Sequence, residues 1–346
     1  MKIHVSRRLT ICAALLCLLA GCAPARTAAV PLTRFRISFV GHLDTVVNLT
    51  AYCPDQATFD RVSEQVEAEL ARLSLLFDRY RSESALARLN AAAGEPEGRE
   101  AAPELRELLS WCLEKQKAVG GVNVAMGGVL SLWHTARLDG MPPTESALAQ
   151  AMRHISPDTV RLEGNRVILQ DPAQSIDFGA VAKGYVADKL AALLRSRGVS
   201  VFLLDCGTST LVCAGTPPDK NGWQVALRHP DAFLNLSGRA DPPEQLGTLS
   251  LSARCVGVSG DYQKYFTYNG TYYGHILSPE TGQPARHYRM VCVLADDALT
   301  ADYYSTALFT LPVAASKQAA QAAGLDALWM LPDGSVLTTD GFPSFD

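Results

Sequence analysis

Asp302 and Thr306 stand four residues apart in the stretch ADYYSTA, residues 301–307, within an otherwise apolar run. On a helix that spacing aims a carboxylate and a hydroxyl the same way. One account is capping, because an aspartate near a helix N-terminus suits the dipole. The other is a hard-metal site, where oxygen ligands hold a cation over phosphate. Seven residues do not choose between the two. A second stretch, IDFGAVAKGYVADKL at 176–190, predicts a strand ending at Asp177, a turn at Gly179 and a helix starting at Lys183-Gly184. Such a turn can offer backbone N–H groups and a lysine to phosphate. The Walker spacing is absent, and an ordinary capped turn reads equally well. A third pair, VSGDYQKYF at 258–266 and YGHILSPETGQP at 273–284, reads as one hairpin carrying Asp261 and His275. A histidine in a strand is more often structural, but beside a metal-held phosphate it is the natural general base. In RYRSESALARLNAAAG, Ser84 caps a short helix and Asn90 follows it; capping alone accounts for that pattern.

The elements that must position these residues follow from periodicity. Residues 36–52 alternate as a strand, and Asp55 opens a helix whose Phe59, Val62, Val66, Leu70, Leu73 and Phe77 recur at three and four. Pro103 starts a second helix, with Leu105, Leu108, Leu109 and Cys112 inward. Gly164-Asn165 centres a hairpin over 159–169, AKGYVADKLAALLRSRG is a helix closed by glycine, and VFLLDCG is a buried strand. The C-terminal half reads as the strands WQVALR, TLSLSARCVGVS, YQKYFTY, TYYGHIL and RMVCVLA, with Asn269-Gly270 as a hairpin turn. Helices return at 302–311 and 315–323 before a last hairpin in ALWMLPDGSVLTT. Regular β-α alternation is missing, so the fold class is α+β, with antiparallel-rich sheets and packed helices.

The N-terminus speaks to compartment. MKIHVSRR is basic, LTICAALLCLLAGC is apolar, and Leu19-Ala20-Gly21-Cys22 reads as a bacterial lipobox. The expected organisation is a signal at 1–21, a lipid-bearing Cys22 with a tether over 22–35, and one domain over 36–346. The protein is then extracytoplasmic and anchored to the bacterial membrane. Three basic residues and no acid leave with the signal, taking the formal charge from −4 to −7. That sign argues against nucleic acid as a partner. Cys53, Cys112, Cys206, Cys213, Cys255 and Cys292 remain, with no zinc spacing among them, and their apolar surroundings predict buried free thiols.

Taken together and in this order, LDTVVNLTAY, SESALARLN, NVAMGGVLSLWH, DFGAVAKGYVADKL, SGDYQKYF, HILSPETGQP and ADYYSTALF resemble the FAD:protein FMN transferases, the ApbE-like family. The resemblance spans most of the chain after the signal. It implies a magnesium ion across the pyrophosphate of FAD, transfer of the FMN part to a threonine hydroxyl of an acceptor protein, and departure of AMP. By the same resemblance Asp302, Thr306 and the carbonyl of Ala180 hold the metal, and His275 is the base. Asp261 is placed behind His275 by the expected hairpin. Tyr80, Asn123, Asp177 and Lys183 match FAD-binding positions, while Leu43 and Met290 match apolar positions near the flavin. The implied acceptors are threonine-bearing domains of electron-transport flavoproteins. Asn123, Thr208, Val258 and Ser278 depart from the commonest residues at their positions. Two rivals share the motifs: an FAD pyrophosphatase, with water in place of threonine, and a flavin-binding lipoprotein without catalysis. A solute-binding lipoprotein is disfavoured by the missing two-lobe alternation.

Overall fold

A computed structural model describes residues 31–345; the expected signal, Cys22 and the tether up to residue 30 lie outside the described residues. Among them, residues 33–345 form one compact unit. Its first strand starts at Thr33, three residues before the expected boundary. β1 (Thr33–His42) and β2 (Thr45–Cys53) form a hairpin followed by α1 (Gln56–Phe77) and α2 (Ala85–Ala91). Strands β3 (Arg99–Glu100), β4 (Val160–Glu163) and β5 (Arg166–Leu169) make a small sheet, and between β3 and β4 lie α3 (Pro103–Val119), α4 (Gly127–Asp139) and α5 (Glu145–Met152). After α6 (Ala182–Ser196) come β6 (Phe202–Cys206), β7 (Thr210–Ala214), the ribbon of β8 (Trp223–Arg228) with β9 (Gln245–Leu251), and β10 (Arg254–Gly260). The short pair β11 (Phe266–Tyr268) and β12 (Thr271–Tyr273) precedes β13 (Met290–Ala295). The chain closes with α7 (Ala298–Thr310), α8 (Val313–Ala322), β14 (Asp326–Met330) and β15 (Val336–Thr338).

Eight strands build the main sheet in the order β1-β2-β6-β7-β10-β13-β14-β15, every neighbouring pair antiparallel. Its sixth strand, β13, is buried along its whole length because both faces are covered. Val291, Val293 and Ala295 enter the core shared with α1, α6 and α7, while Met290, Cys292 and Leu294 join Trp223, Val225 and Leu227 of the ribbon on the other face. Period-two alternation therefore feeds two apolar layers. All six described cysteines are free and buried in these layers, as expected.

Several expectations change. Residues 36–52 are two strands, joined by a two-residue turn at Leu43-Asp44 with φ of +52° and +54°. That is type I′ geometry, usually signalled by Asn-Gly or Asp-Gly, so nothing in the sequence marked it. TLSLSARCVGVS divides at Ser252-Ala253 into β9 and β10, which belong to different sheets. Asp177 does not end a strand: its segment is extended, with one bridge from Ser175 to Met126 and an N–H from Asp177 to the Val124 carbonyl at 2.8 Å. His275 lies beyond the end of β12, so no strand carries it. Helix α7 begins before Asp302, and its cap is Asp297, whose carboxylate accepts from the Thr300 N–H at 2.7 Å. Capping is thus assigned elsewhere, and Asp302 sits in the second turn.

Candidate active site

Helix α7 is buried around nearly its whole circumference because α6 and the main sheet both press on it. Two glycines allow that approach. A Cβ on Gly257 of β10 would meet the Ala301 carbonyl at 2.1 Å, and one on Gly184 of α6 would meet the Ala298 carbonyl at 2.5 Å. Asp302 is consequently buried at the seam. One of its oxygens accepts from the Gly184 N–H at 2.9 Å and the other from the Thr210 hydroxyl at 2.9 Å. Asp188 of α6 fixes the same register, accepting the N–H groups of Ala298 and Leu299 at 2.8 and 2.9 Å. One turn after Asp302, the Thr306 hydroxyl lies 3.1 Å from Ser259 Oγ of β10.

Asp302 and Thr306 open into a cavity of about 290 Å³ that Leu43, Asn123, Asp177, Ala180, Lys183 and His275 also line. Burial pushes the Asp302 carboxyl above its ordinary range, with the Lys183 charge and the two hydrogen bonds opposing. A buried acid held by neutral donors, beside a hydroxyl and a carbonyl, is a hard oxygen donor set. It fits magnesium, which takes few protein ligands and leaves room for phosphate.

His275 has its Nδ1 2.9 Å from the Gln263 carbonyl. A carbonyl only accepts, so Nδ1 carries the proton and Nε2 keeps its lone pair. Desolvation within the cavity, with Lys264 close by, pushes its pKa down to about 4. The ring also keeps an exposed face, where water moderates that shift; the direction leaves it neutral at pH 7.

Asp261 does not stand behind His275. Its carboxylate takes the Arg289 Nε at 3.0 and 3.1 Å and the Tyr272 hydroxyl at 2.9 Å. Arg289 also donates to Asp231 at 2.8 Å and to the Leu234 carbonyl at 2.8 Å. The expected hairpin partnership fails because the chain after Gly260 turns toward Arg289, while His275 turns to the backbone at Gln263. Met290 is fully buried on the opposite face of the sheet and lines a different cavity. Tyr80 is 65% exposed, is not in the cavity lining, and packs its ring 5.1 Å from that of His134.

The remaining positions are set by residues with no distinctive sequence signal. Arg79 donates to Asp177 at 2.8 Å, the Gly127 carbonyl at 2.9 Å and the Ser131 hydroxyl at 2.6 Å. Asn90, read as part of a capping pattern, clamps both backbone groups of Ile176 at 2.7 and 2.9 Å, just before Asp177. The other Asp177 oxygen accepts from the Gly179 N–H at 2.6 Å. Arg79 is 98 residues from its carboxylate, which no local pattern reports. Asn123 donates to the Ile155 carbonyl at 2.8 Å and accepts from the Ala125 N–H at 2.9 Å, so an ionised aspartate there would lose the donor. Thr208 holds φ of +61°, explaining why glycine suits that position, and its N–H reaches Asp205 at 2.7 Å.

A buried acid with a hydroxyl one turn on, a lysine and a neutral histidine line one cavity, carried on an α+β frame. The chain belongs to the ApbE family, whose model matches residues 43–329. It is 26% identical over 339 residues to an FAD:protein FMN transferase of Klebsiella pneumoniae (strain 342), covering 95% of this chain and 93% of that one. An FAD:protein FMN transferase of Treponema pallidum (strain Nichols) is 28% identical over 300 residues, 80% of this chain and 79% of its own. Among solved structures, the flavin transferase ApbE from Vibrio cholerae superposes with a TM-score of 0.79 at 22% identity, covering 91% of this chain and all of that one. At that identity the likeness establishes the fold.

Proposed function

We propose that this protein transfers the FMN part of FAD to a threonine hydroxyl of an acceptor protein and releases AMP. The observation that carries the reading is the convergence of Asp302, Thr306, Ala180, Lys183 and His275 on one cavity, in a chain similar to FAD:protein FMN transferases over 95% of its length. Asp302, Thr306 and the Ala180 carbonyl would hold magnesium, which when bound neutralises charge on the diphosphate. Lys183, next to the start of α6, supplies a second positive charge to the same phosphates. Asp177, fixed by Arg79 and Gly179, and the nearby Asn123 line the cavity where the nucleotide would be oriented.

His275 Nε2 takes the threonine proton as the hydroxyl oxygen attacks the FMN phosphorus. The new bond is Oγ–P; the bond broken joins that phosphorus to the bridging oxygen, which departs with AMP. A general base of this kind contributes about 10²–10⁴-fold. A lipid anchor on Cys22 and an extracytoplasmic position are supported by the lipobox and the basic, apolar N-terminus. Electron-transport flavoproteins are the acceptor class proposed.

The test incubates the protein with FAD, Mg²⁺ and a threonine-bearing flavoprotein domain, followed by intact mass of the acceptor. A gain of FMN less water that needs Mg²⁺ and disappears in His275→Ala supports the reading. Free FMN and AMP without acceptor gain would replace it with FAD hydrolysis. Intact FAD alone would leave a binding protein.

A further inference from the structure

A second cavity of about 220 Å³ lies on the other face of the main sheet, beneath the β8–β9 ribbon. Its floor is a row of half-buried side chains on the central strands, Leu203 of β6, Leu211 of β7 and Val258 of β10. Its end wall is the stacked pair Phe233 and Tyr262, with ring centroids 5.1 Å apart and the Arg228 guanidinium 5.6 Å from the Phe233 ring. The Arg289 cluster builds that wall. Arg289 ties Asp231 and the Leu234 carbonyl, which flank Phe233, to Asp261, which precedes Tyr262. Gly260 lets the Tyr262 ring fold back, since a Cβ there would lie 2.2 Å from it.

This cavity shares Val258 and Gln263 with the active-site cavity, and the Gln263 carbonyl is the group that holds His275. The two cavities therefore meet at Gln263, the residue whose backbone holds His275. In-line displacement brings the incoming hydroxyl opposite the departing AMP oxygen, so the acceptor has to approach from outside the nucleotide's cavity. Asp205, Thr208, Gln224, Arg228 and Gln263 also line it, but Leu203, Leu211, Val258, Phe233 and their apolar neighbours predominate, and the volume suits one or two side chains. We propose that the second cavity is the acceptor subsite: it takes an apolar side chain flanking the threonine, and so selects the acceptor. The inference rests on the transfer reading above. It also gives Asp261 and Arg289 a role, as positioning residues for this wall.

The test uses the full-length protein in detergent with a flavoprotein domain that the wild type modifies. FAD affinity and the acceptor KM are measured for Leu211→Phe, which fills the cavity, and for Phe233→Ala, which removes its end wall. Burial of one apolar side chain sets the scale, so the acceptor KM should rise about tenfold or more. FAD affinity should stay within about twofold. Shortening the apolar residue beside the acceptor threonine should slow the wild type but add little to Leu211→Phe. A matching loss of FAD affinity would overturn the proposal by giving the cavity to the flavin ring, and an unchanged acceptor KM in both variants would also overturn it. If Leu211→Phe fails to fold, the exposed Phe233 position decides. A wild type that modifies no acceptor would fell the transfer reading itself, which is visible before any variant is made.

Discussion

Two buried aspartates, one just after β10 and one in the second turn of α7, have opposite surroundings. Asp261 is met by a guanidinium and a phenol, and its partner Arg289 is shared with Asp231, so every charge there faces another at hydrogen-bond distance. Asp302 is met by one amide N–H and one hydroxyl and faces a cavity. Burial pushes both acids up, but only Asp261 has a cation within salt-bridge distance. A buried charge with a partner belongs to the architecture; one without it is held ready for something that arrives.

The comparison is broken most severely by Asp302→Ala. Losing a cation that stabilises transition-state charge removes several kcal/mol, so transfer should fall by about three orders of magnitude or more while the fold persists. Thermal melts give an independent reading: Mg²⁺ at about 100 times its Kd should stabilise the wild type by about 2.7 kcal/mol, and the variant not at all. Equal Mg²⁺ responses would remove Asp302 from the metal site.

His275→Ala should slow transfer by about 10²–10⁴-fold with FAD still bound, as followed by single-turnover kinetics. The pH profile sharpens this. The base works deprotonated, and desolvation in the cavity lowers its pKa, so the acid limb of kcat/KM should lie below the ordinary histidine range. Removing a nearby positive charge in Lys264→Met should move the acid limb upward, because protonation of His275 becomes easier.

On the paired side, Arg289→Met should act on stability. It leaves Asp231 and Asp261 buried without their cation, a loss of about 3–5 kcal/mol by chemical denaturation. Mg²⁺ affinity of the protein that remains folded should be unchanged; a parallel loss of metal binding would erase the distinction between the two aspartates. The smallest effect is expected for Thr208→Gly, which relieves a β-branched residue at φ of +61° and should stabilise by up to about 1 kcal/mol in a melt. No gain would mean that the 2.7 Å bond from its N–H to Asp205 already offsets the strain.

Much of this was legible beforehand wherever the signal was local. The helix opened by Asp55, the Asn269-Gly270 and Gly164-Asn165 turns, and the strand in RMVCVLA each depend on neighbours a few residues away, and each formed. The Leu43-Asp44 turn and the break at Ala253 were missed because non-glycine residues occupy left-handed backbone there. Asp261 was misplaced for a different reason. A carboxylate beside a histidine motif looks catalytic until Arg289, 28 residues on, and Asp231, 58 residues before Arg289, are folded against it.

The sequence by itself determined the element types, the α+β class, the i,i+4 face shared by Asp302 and Thr306, and the family resemblance. Tertiary structure alone decided which acids are neutralised, that Arg79 reaches Asp177 and that Gly184 meets Asp302. It also put Met290 on the far face of the sheet and set a second cavity against the first. Periodicity and capping are written within a turn or two of chain. Charge compensation and cavity walls are made between residues tens to hundreds of positions apart, and they exist only once the two layers close on the sheet.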